Sequence, residues 1–474
     1  MMRLAQFDDI ARLVGCALAV AAAAVMLVPT TATIARAETP VEEVRTEAGM
    51  TAYLVNEPAV PLLSVSFEFE GGAAADPVGR EGLSRMVAGL LDEGAGELDS
   101  LAFRTLLEDQ AIRLSFSHGR DAFSGRLSTL SENREQAFEL LRLALAEPRF
   151  DPEPVERIRR QIEADIQRRR NDPSSMAALA WFEAAFPEHP YGRTTQGTVD
   201  SIRAIEVAEL RAYVAERLAR GNLTIGVAGD ITAAELAPLL DQAFGHLPES
   251  ASLPALEPTT PEIGETLVQR IDVPQSVVTF GLPGIARDDP DYYAAYVANY
   301  ILGGGGFASR LTEEVREKRG LAYSVYSYLM DTELAPLWMG GVATRNDQVG
   351  QSIEVIRGEL RRMAQGDVSA EDLADAQTYL TGSFPLRFTS NENVARILVG
   401  MQTNDLGLDY LDRYSGYIEA VTLDDLRRVS ARLFADDLLV SIVGDPVGIE
   451  AVREIEPADG PGGRAADGRT GGEG

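Results

Sequence analysis

Few side chains in this sequence are placed to do chemistry. Its imidazoles are His118, His189 and His246, and no two lie close enough in sequence to form a helical metal pair. Cys16 is the only cysteine and precedes an export-signal cleavage site, so the mature chain should carry no disulfide, reactive thiol or thiolate metal site. Gly303, Gly304, Gly305 and Gly306 could suggest a phosphate loop, but no Gly-Lys-Ser/Thr follows them. Arg316 and Tyr323 are a further candidate pair, at the end of an expected helix and the start of an expected strand. Taken alone, an arginine near a helix C-terminus compensates the helix dipole, here with Glu313 at i−3, and a strand tyrosine is packing.

The stretch 302–328 must position that pair. The glycine run frees the backbone for positive φ or close approach as the chain swings between helices. A helix should follow at once, with Ser309 as cap, Glu313 and Glu314 in its early turns, Leu311 and Val315 as its apolar stripe and Gly320 as the residue that closes it. Beyond Gly320 the period becomes that of a strand. Leu321, Tyr323 and Val325 should share one strand face, which brings Arg316 and Tyr323 together across a tight corner.

The wider chain repeats itself. A first strand over 63–69 alternates Leu63, Val65, Phe67 and Phe69 with Ser64, Ser66 and Glu68. Val60-Pro61, this strand and Asp76-Pro77 recur 213 positions later around Val273-Pro274, Val278, Phe280, Leu282 and Asp289-Pro290. LTIGVAGD ending at Asp230 recurs as LLVSIVGD ending at Asp445, and the helix before it, 210–218, recurs as 426–433. Such agreement argues for one α+β unit present twice, at offsets of about 213 to 215, each half-domain a mixed sheet covered mainly on one face by helices. The halves are 38–247 and 266–455. Between them, 248–265 has the proline, serine and glutamate of an extended linker, and 456–474 reads as a glycine-rich disordered tail.

At 474 residues, with 45% hydrophobic and 24% charged residues, the composition is that of an ordinary multidomain globular protein. A formal charge of −30 argues against nucleic-acid binding, which needs basic patches. Residues 1–37 read as a secretory signal: Arg3 and Arg12 precede an apolar stretch over 14–28, and Ala35-Arg36-Ala37 forms the cleavage site. Asp8 and Asp9 are atypical there, so a retained N-terminal anchor is the competing expectation. No membrane span is expected after cleavage. The expected location is secreted, in the bacterial periplasm, with extracellular export as the lesser expectation.

The run 302–323 resembles the C-terminal-half signature of the insulinase and pitrilysin-like zinc peptidase family, which includes the mitochondrial processing peptidases. The resemblance covers roughly residues 41–455. It implies two halves forming a curved shell, two shells closing around a peptide, and Arg316 and Tyr323 lining the chamber opposite the zinc. In the family the first-half helix carries His-x-x-Glu-His, whose spacing puts two zinc ligands and a general base on one face. The corresponding helix here, 80–91, keeps its apolar stripe of Leu83, Met86, Val87, Leu90 and Leu91 but has Arg85, Ala88 and Gly89 at the functional positions. A guanidinium has no lone pair to donate, alanine cannot act as a base and glycine has no side chain.

The family's third metal ligand falls at Asp165, with Arg168 and Arg169 at i+3 and i+4 as expected intrahelical partners. His189, in HPYG, resembles a structural turn motif of the family. The resemblance therefore implies a non-catalytic subunit without a cofactor of its own, offering Arg316 and Tyr323 in trans to the zinc of a homologous partner that carries the histidine motif. Gly303 to Gly306 would expose backbone to the peptide substrate, with close helix packing as the other reading. A peptide-binding or structural scaffold with no part in hydrolysis is the alternative. Independent peptidase activity would require an unrecognised metal site.

Overall fold

The computed structural model describes residues 40–434, 437–449 and 453–455; the expected export signal and the tail lie outside them. Twelve strands form two six-stranded sheets among the described residues. The first sheet contains β1 (Glu42–Arg45), β2 (Thr51–Asn56), β3 (Leu62–Glu70), β4 (Arg113–His118), β5 (Ala122–Leu130) and β6 (Leu223–Gly229). The second contains β7 (Thr266–Arg270), β8 (Gln275–Pro283), β9 (Ala322–Met330), β10 (Leu337–Arg345), β11 (Leu439–Gly444) and β12 (Arg453–Glu454). Their orders, β1-β2-β6-β3-β5-β4 and β12-β7-β11-β8-β10-β9, match position by position over five strands. In each sheet a parallel pair, β2 with β6 or β7 with β11, joins an antiparallel run, and in the second sheet β12 adds to β7 in parallel as well. The α+β repeat read from the sequence is the architecture of the molecule.

A conserved offset also carries an ion pair. Asp76 accepts hydrogen bonds from the Gly82 and Ser84 amides and meets Arg217 at 3.3 Å. At the corresponding place in the second half, Asp289 meets Arg432 at 2.7 Å. Each pair fastens the turn after the long strand to the helix that leads into β6 or β11, Val207–Arg217 or Leu423–Leu433. Burial pushes the Asp76 carboxyl up to about 6.

The covering of the sheets differs from the expectation of one helical face. Leu63, Val65, Phe67 and Phe69 fill the core of the first half, yet Ser64 and Ser66 on the opposite face are buried too. Their cover comes from the second half: the helix Asn391–Thr403 crosses β6 and β3. Its Gln402 amide donates to the Ile225 carbonyl at 2.6 Å, and its Asn391 amide donates to the Leu62 carbonyl at 3.2 Å. The helix runs so close that a Cβ on Gly226 would lie 2.2 Å from the Ala395 carbonyl oxygen. The first half returns the arrangement. Its helix Pro173–Ala185 packs on β11 and β8, where buried Trp181 donates to the Leu439 carbonyl at 3.0 Å and sits against Gly281. Polar alternation in β3 thus marks contact with a crossing helix rather than with water.

Residues 248–265 are irregular, as a linker should be, but are held along their length. Ser252 donates to the Glu216 carbonyl at 2.6 Å, Thr259 to Leu334 at 2.8 Å and Glu262 to Ala185 at 2.8 Å. The His189 Nε2 meets the Glu257 carbonyl at 3.1 Å, which gives that histidine its structural use. Among the described residues no helix is long and apolar enough to cross a membrane.

Because each half lends a helix to the other, the halves should unfold together. Trp181→Ala is expected to cost about 3–5 kcal/mol, as deletion of a buried aromatic does. Urea unfolding should remain a single transition in both the parent and the variant. Two resolved transitions in the parent would show that the exchanged helices do not couple the halves.

Candidate functional site

The helix expected over 80–91 is confined to Leu83–Ala88. Gly82 at its start is left-handed, with φ of 90°, and Gly89 ends it, while Leu90 and Leu91 stay buried in the turns that follow. Arg85 points from this short helix towards the helix Pro152–Arg169. Its Nη2 lies 2.6 Å from the Asp165 Oδ2, and its Nη1 donates to the Gln196 carbonyl at 3.2 Å. Asp165 does pair with Arg168 and Arg169 within its own helix, both at 2.9 Å, as expected. The sequence did not reveal the third partner, because Arg85 is 80 residues away.

Three guanidiniums, Arg169 first, hold the Asp165 carboxyl well below the usual carboxylate range. Burial pulls Arg85 down from its ordinary value, and Asp165 acts against that shift. His118, at the end of β4, lies beside this cluster, with its Nε2 3.4 Å from the Gln196 amide nitrogen. Burial, reinforced by the Arg85 charge, pushes its imidazole down to about 4. These residues do not fit zinc. Ala88 and Gly89 offer no ligand, Arg85 brings a fixed positive charge, and Asp165 already serves three cations. Among the described residues, no three His, Cys, Asp or Glu side chains converge on a metal position.

The second cluster is the Arg316–Tyr323 corner, where the structure departs locally from the sequence reading. Ser309 caps the segment, its Oγ accepting from the Thr312 amide at 3.4 Å and donating to the Gly306 carbonyl at 2.8 Å. Gly320, with φ of 61°, closes the segment, donating to the Arg316 carbonyl at 2.8 Å. In between, however, Thr312–Glu317 is a π-helix, with the Lys318 amide reaching the Glu313 carbonyl at 2.9 Å. Tyr300–Gly304 is wound the same way. Glu313 pairs with Lys318 at 3.0 Å rather than with Arg316, whose carboxylate neighbour is Glu317 at 3.3 Å.

Tyr323 does not share a face with Leu321 and Val325. Those two are buried, at 3% and 5% exposure, whereas Tyr323 is 82% exposed. The cause is a β-bulge: Ala343 of β10 pairs with Ser324 and Thr344 with Ala322, which leaves Tyr323 as the extra residue, turned outward. The Arg316 guanidinium lies 5.1 Å from its ring centre and 4.7 Å from that of Phe307, so the cation sits between two exposed rings. The sequence reading missed Phe307, although an aromatic residue directly after a glycine run was a usable signal.

Gly303 is buried, with the Ser327 Oγ 2.3 Å from where its Cβ would be; its lack of a side chain serves close packing on β9. Gly304, Gly305 and Gly306 lie nearer the surface, and Gly306 has φ of 58° with open space around it. Among the described residues no hydrogen bond, ion pair or ring contact joins this corner to Arg85 or Asp165.

Residues 204–380 match the family model described as the peptidase M16 inactive domain. The chain is an M16-family peptidase homologue. Its first-half helix, without ligand or base, makes it an inactive one. It is 28% identical over 339 residues to the non-peptidase homolog YmxG of Helicobacter pylori, covering 71% of this chain and 77% of that protein. The crystal structure of a peptidase M16 inactive domain from Pseudomonas fluorescens superposes with a TM-score of 0.81 at 26% identity, over 87% of this chain and 99% of that one. A protease structure from Helicobacter pylori shares the fold, with a TM-score of 0.78 at 19% identity over 85% of this chain and 99% of that one.

The depressed His118 value makes a pH prediction for this M16 homologue. An imidazole that titrates near 4 when folded and near 6.5 when unfolded stays uncharged in the native state, so the unfolded chain binds the extra proton between those values. Its contribution is fully present above pH 6.5 and is lost as pH falls towards 4. His118→Gln should flatten the fall in unfolding free energy over that window by about 2–3 kcal/mol. An unchanged slope would show that His118 is not held neutral.

Proposed function

We propose that this M16 homologue is the non-catalytic, substrate-binding subunit of a heterodimeric zinc metallopeptidase. Its homologous partner carries His-x-x-Glu-His and the zinc. The observation that carries the reading is the outward Tyr323, paired with an arginine while its hydroxyl remains uncommitted. Among the described residues nothing hydrogen-bonds that hydroxyl, and the ring is 82% exposed at a bulge. A phenol and a guanidinium held together in this way suit an oxygen that gains negative charge during amide hydrolysis. Tyr323 donates a hydrogen bond to it, and Arg316 adds positive charge or grips a substrate carbonyl. Gly304, Gly305 and Gly306 offer backbone to the peptide beside them. The export signal read at 1–37 supports a setting for this reaction outside the cytoplasm, in a bacterial periplasm.

The alternative is a peptide-holding scaffold with no part in hydrolysis. The similar Helicobacter pylori protein, described as a non-peptidase homolog, supports that reading. It predicts peptide affinity without any peptidase partner.

Reconstitution with the partner separates the two. Tyr323→Phe and Arg316→Ala should leave assembly intact and lower turnover by the complex roughly 100-fold each, the loss expected for an oxyanion donor. Turnover unchanged in both variants would remove the catalytic contribution and leave the scaffold.

A further inference from the structure

A cavity of about 560 Å³ opens beside the Arg85–Asp165 cluster. Its walls come from the end of the Pro152–Arg169 helix, one side of the Pro173–Ala185 helix and the segment 193–198, with Gln269 and Ile455 contributed by the second half. Four arginines line it, Arg120, Arg169, Arg170 and Arg193, against one carboxylate, Glu183. In a chain of net charge −30 this is a local reversal of sign.

The four guanidiniums are not equally engaged. Arg169 is paired with Asp165 at 2.9 Å. Arg193 donates to the Asp76 and Ala74 carbonyls, both at 2.9 Å, and has Glu81 at 3.6 Å. Arg120 donates only to the Tyr191 carbonyl, and its guanidinium lies 4.1 Å from the Phe182 ring centre and 5.2 Å from that of Tyr191. Burial pulls its proton affinity down, and the neighbouring Asp121 carboxylate acts against that shift. Among the described residues neither Arg120 nor Arg170 forms an ion pair. Asp121 lies near enough to Arg120 to act on it electrostatically but makes no ion-pair contact with it, and an anion entering the cavity would offset the remaining cost of withdrawing the charge from water. The rest of the wall is apolar, with Ile166, Met176, Leu179 and Phe182 among its residues.

We infer that this cavity binds the carboxylate of a peptide, with an adjoining apolar side chain seated against the Leu179 and Phe182 wall. A guanidinium matches a carboxylate with two parallel N–H donors, which a neutral amide cannot accept with equal strength. The carboxylate could be the C-terminus of the chain or an Asp or Glu side chain next to an apolar residue; the chemistry is shared. The inference rests on the peptide-holding reading and names the chemical feature recognised. It uses the isolated subunit, so its failure leaves the reconstituted turnover test standing.

The test is calorimetric titration of the purified full chain with three peptides. They are acetyl-Ala-Ala-Leu-Leu with a free C-terminus, the same peptide as its C-terminal amide, and acetyl-Ala-Glu-Leu-Leu amide. A free acid that binds at least tenfold more tightly than its amide supports recognition of the terminus. A glutamyl amide that binds at least tenfold more tightly than the plain amide supports recognition of a side-chain carboxylate. Arg120→Gln and Arg170→Gln should each weaken the favoured peptide at least tenfold. Arg120 also braces Tyr191, so Arg170→Gln is the decisive variant, and its thermal midpoint should match the parent. Equal binding by all three peptides, or a preferred peptide unaffected by Arg170→Gln, overturns the inference.

Discussion

Arg85 reaches across from one short helix to Asp165 on a long one, and the 2.6 Å contact fixes what the first half can and cannot do. A metal ion between two helices joins them by neutralising converging ligands. Here a guanidinium joins them by supplying the positive charge itself. The same contact saturates the carboxylate, together with Arg168 and Arg169, and the Arg85 charge adds to the burial that depresses His118, the nearby imidazole. Removing one partner of such a partly buried pair is costly because the other charge remains behind. The cluster therefore preserves a peptidase-like scaffold while excluding peptidase chemistry from it.

What the first half gives up, the second half keeps accessible. The Arg316–Tyr323 corner depends on local irregularities, a π-wound turn and a β-bulge, and each moves a side chain away from where regular structure would place it. Both sit on a rigid base. β9 is held by β10 along its length, and the exchanged helices bind the two sheets into one body. Accessible side chains on a well-supported edge suit the surface proposed above for a second molecule.

The repeated architecture was legible because strand alternation and the Asp-Pro turns survive in both copies at nearly one offset. The loss of metal ligands at Arg85, Ala88 and Gly89 was legible because it depends on residue type alone. Contacts between distant segments were not. Ser64 and Ser66 look solvent-facing in sequence, and nothing local says that residues more than 300 positions away cover them. The helix over 80–91 was drawn too long because Leu90 and Leu91 continue the apolar stripe, although Gly82 and Gly89 already mark its ends. The bulge at Tyr323 was hidden because Leu321, Tyr323 and Val325 fit a regular strand equally well. Pairing of Arg85 with Asp165 needed the tertiary structure.

The central claim is that a side-chain cation has taken over from a metal in this fold, and zinc titration of the purified full chain followed by calorimetry tests it most directly. The account predicts no uptake near one zinc per chain and a thermal midpoint indifferent to a chelator. One tightly held zinc per chain, with a midpoint that falls when it is removed, would contradict it.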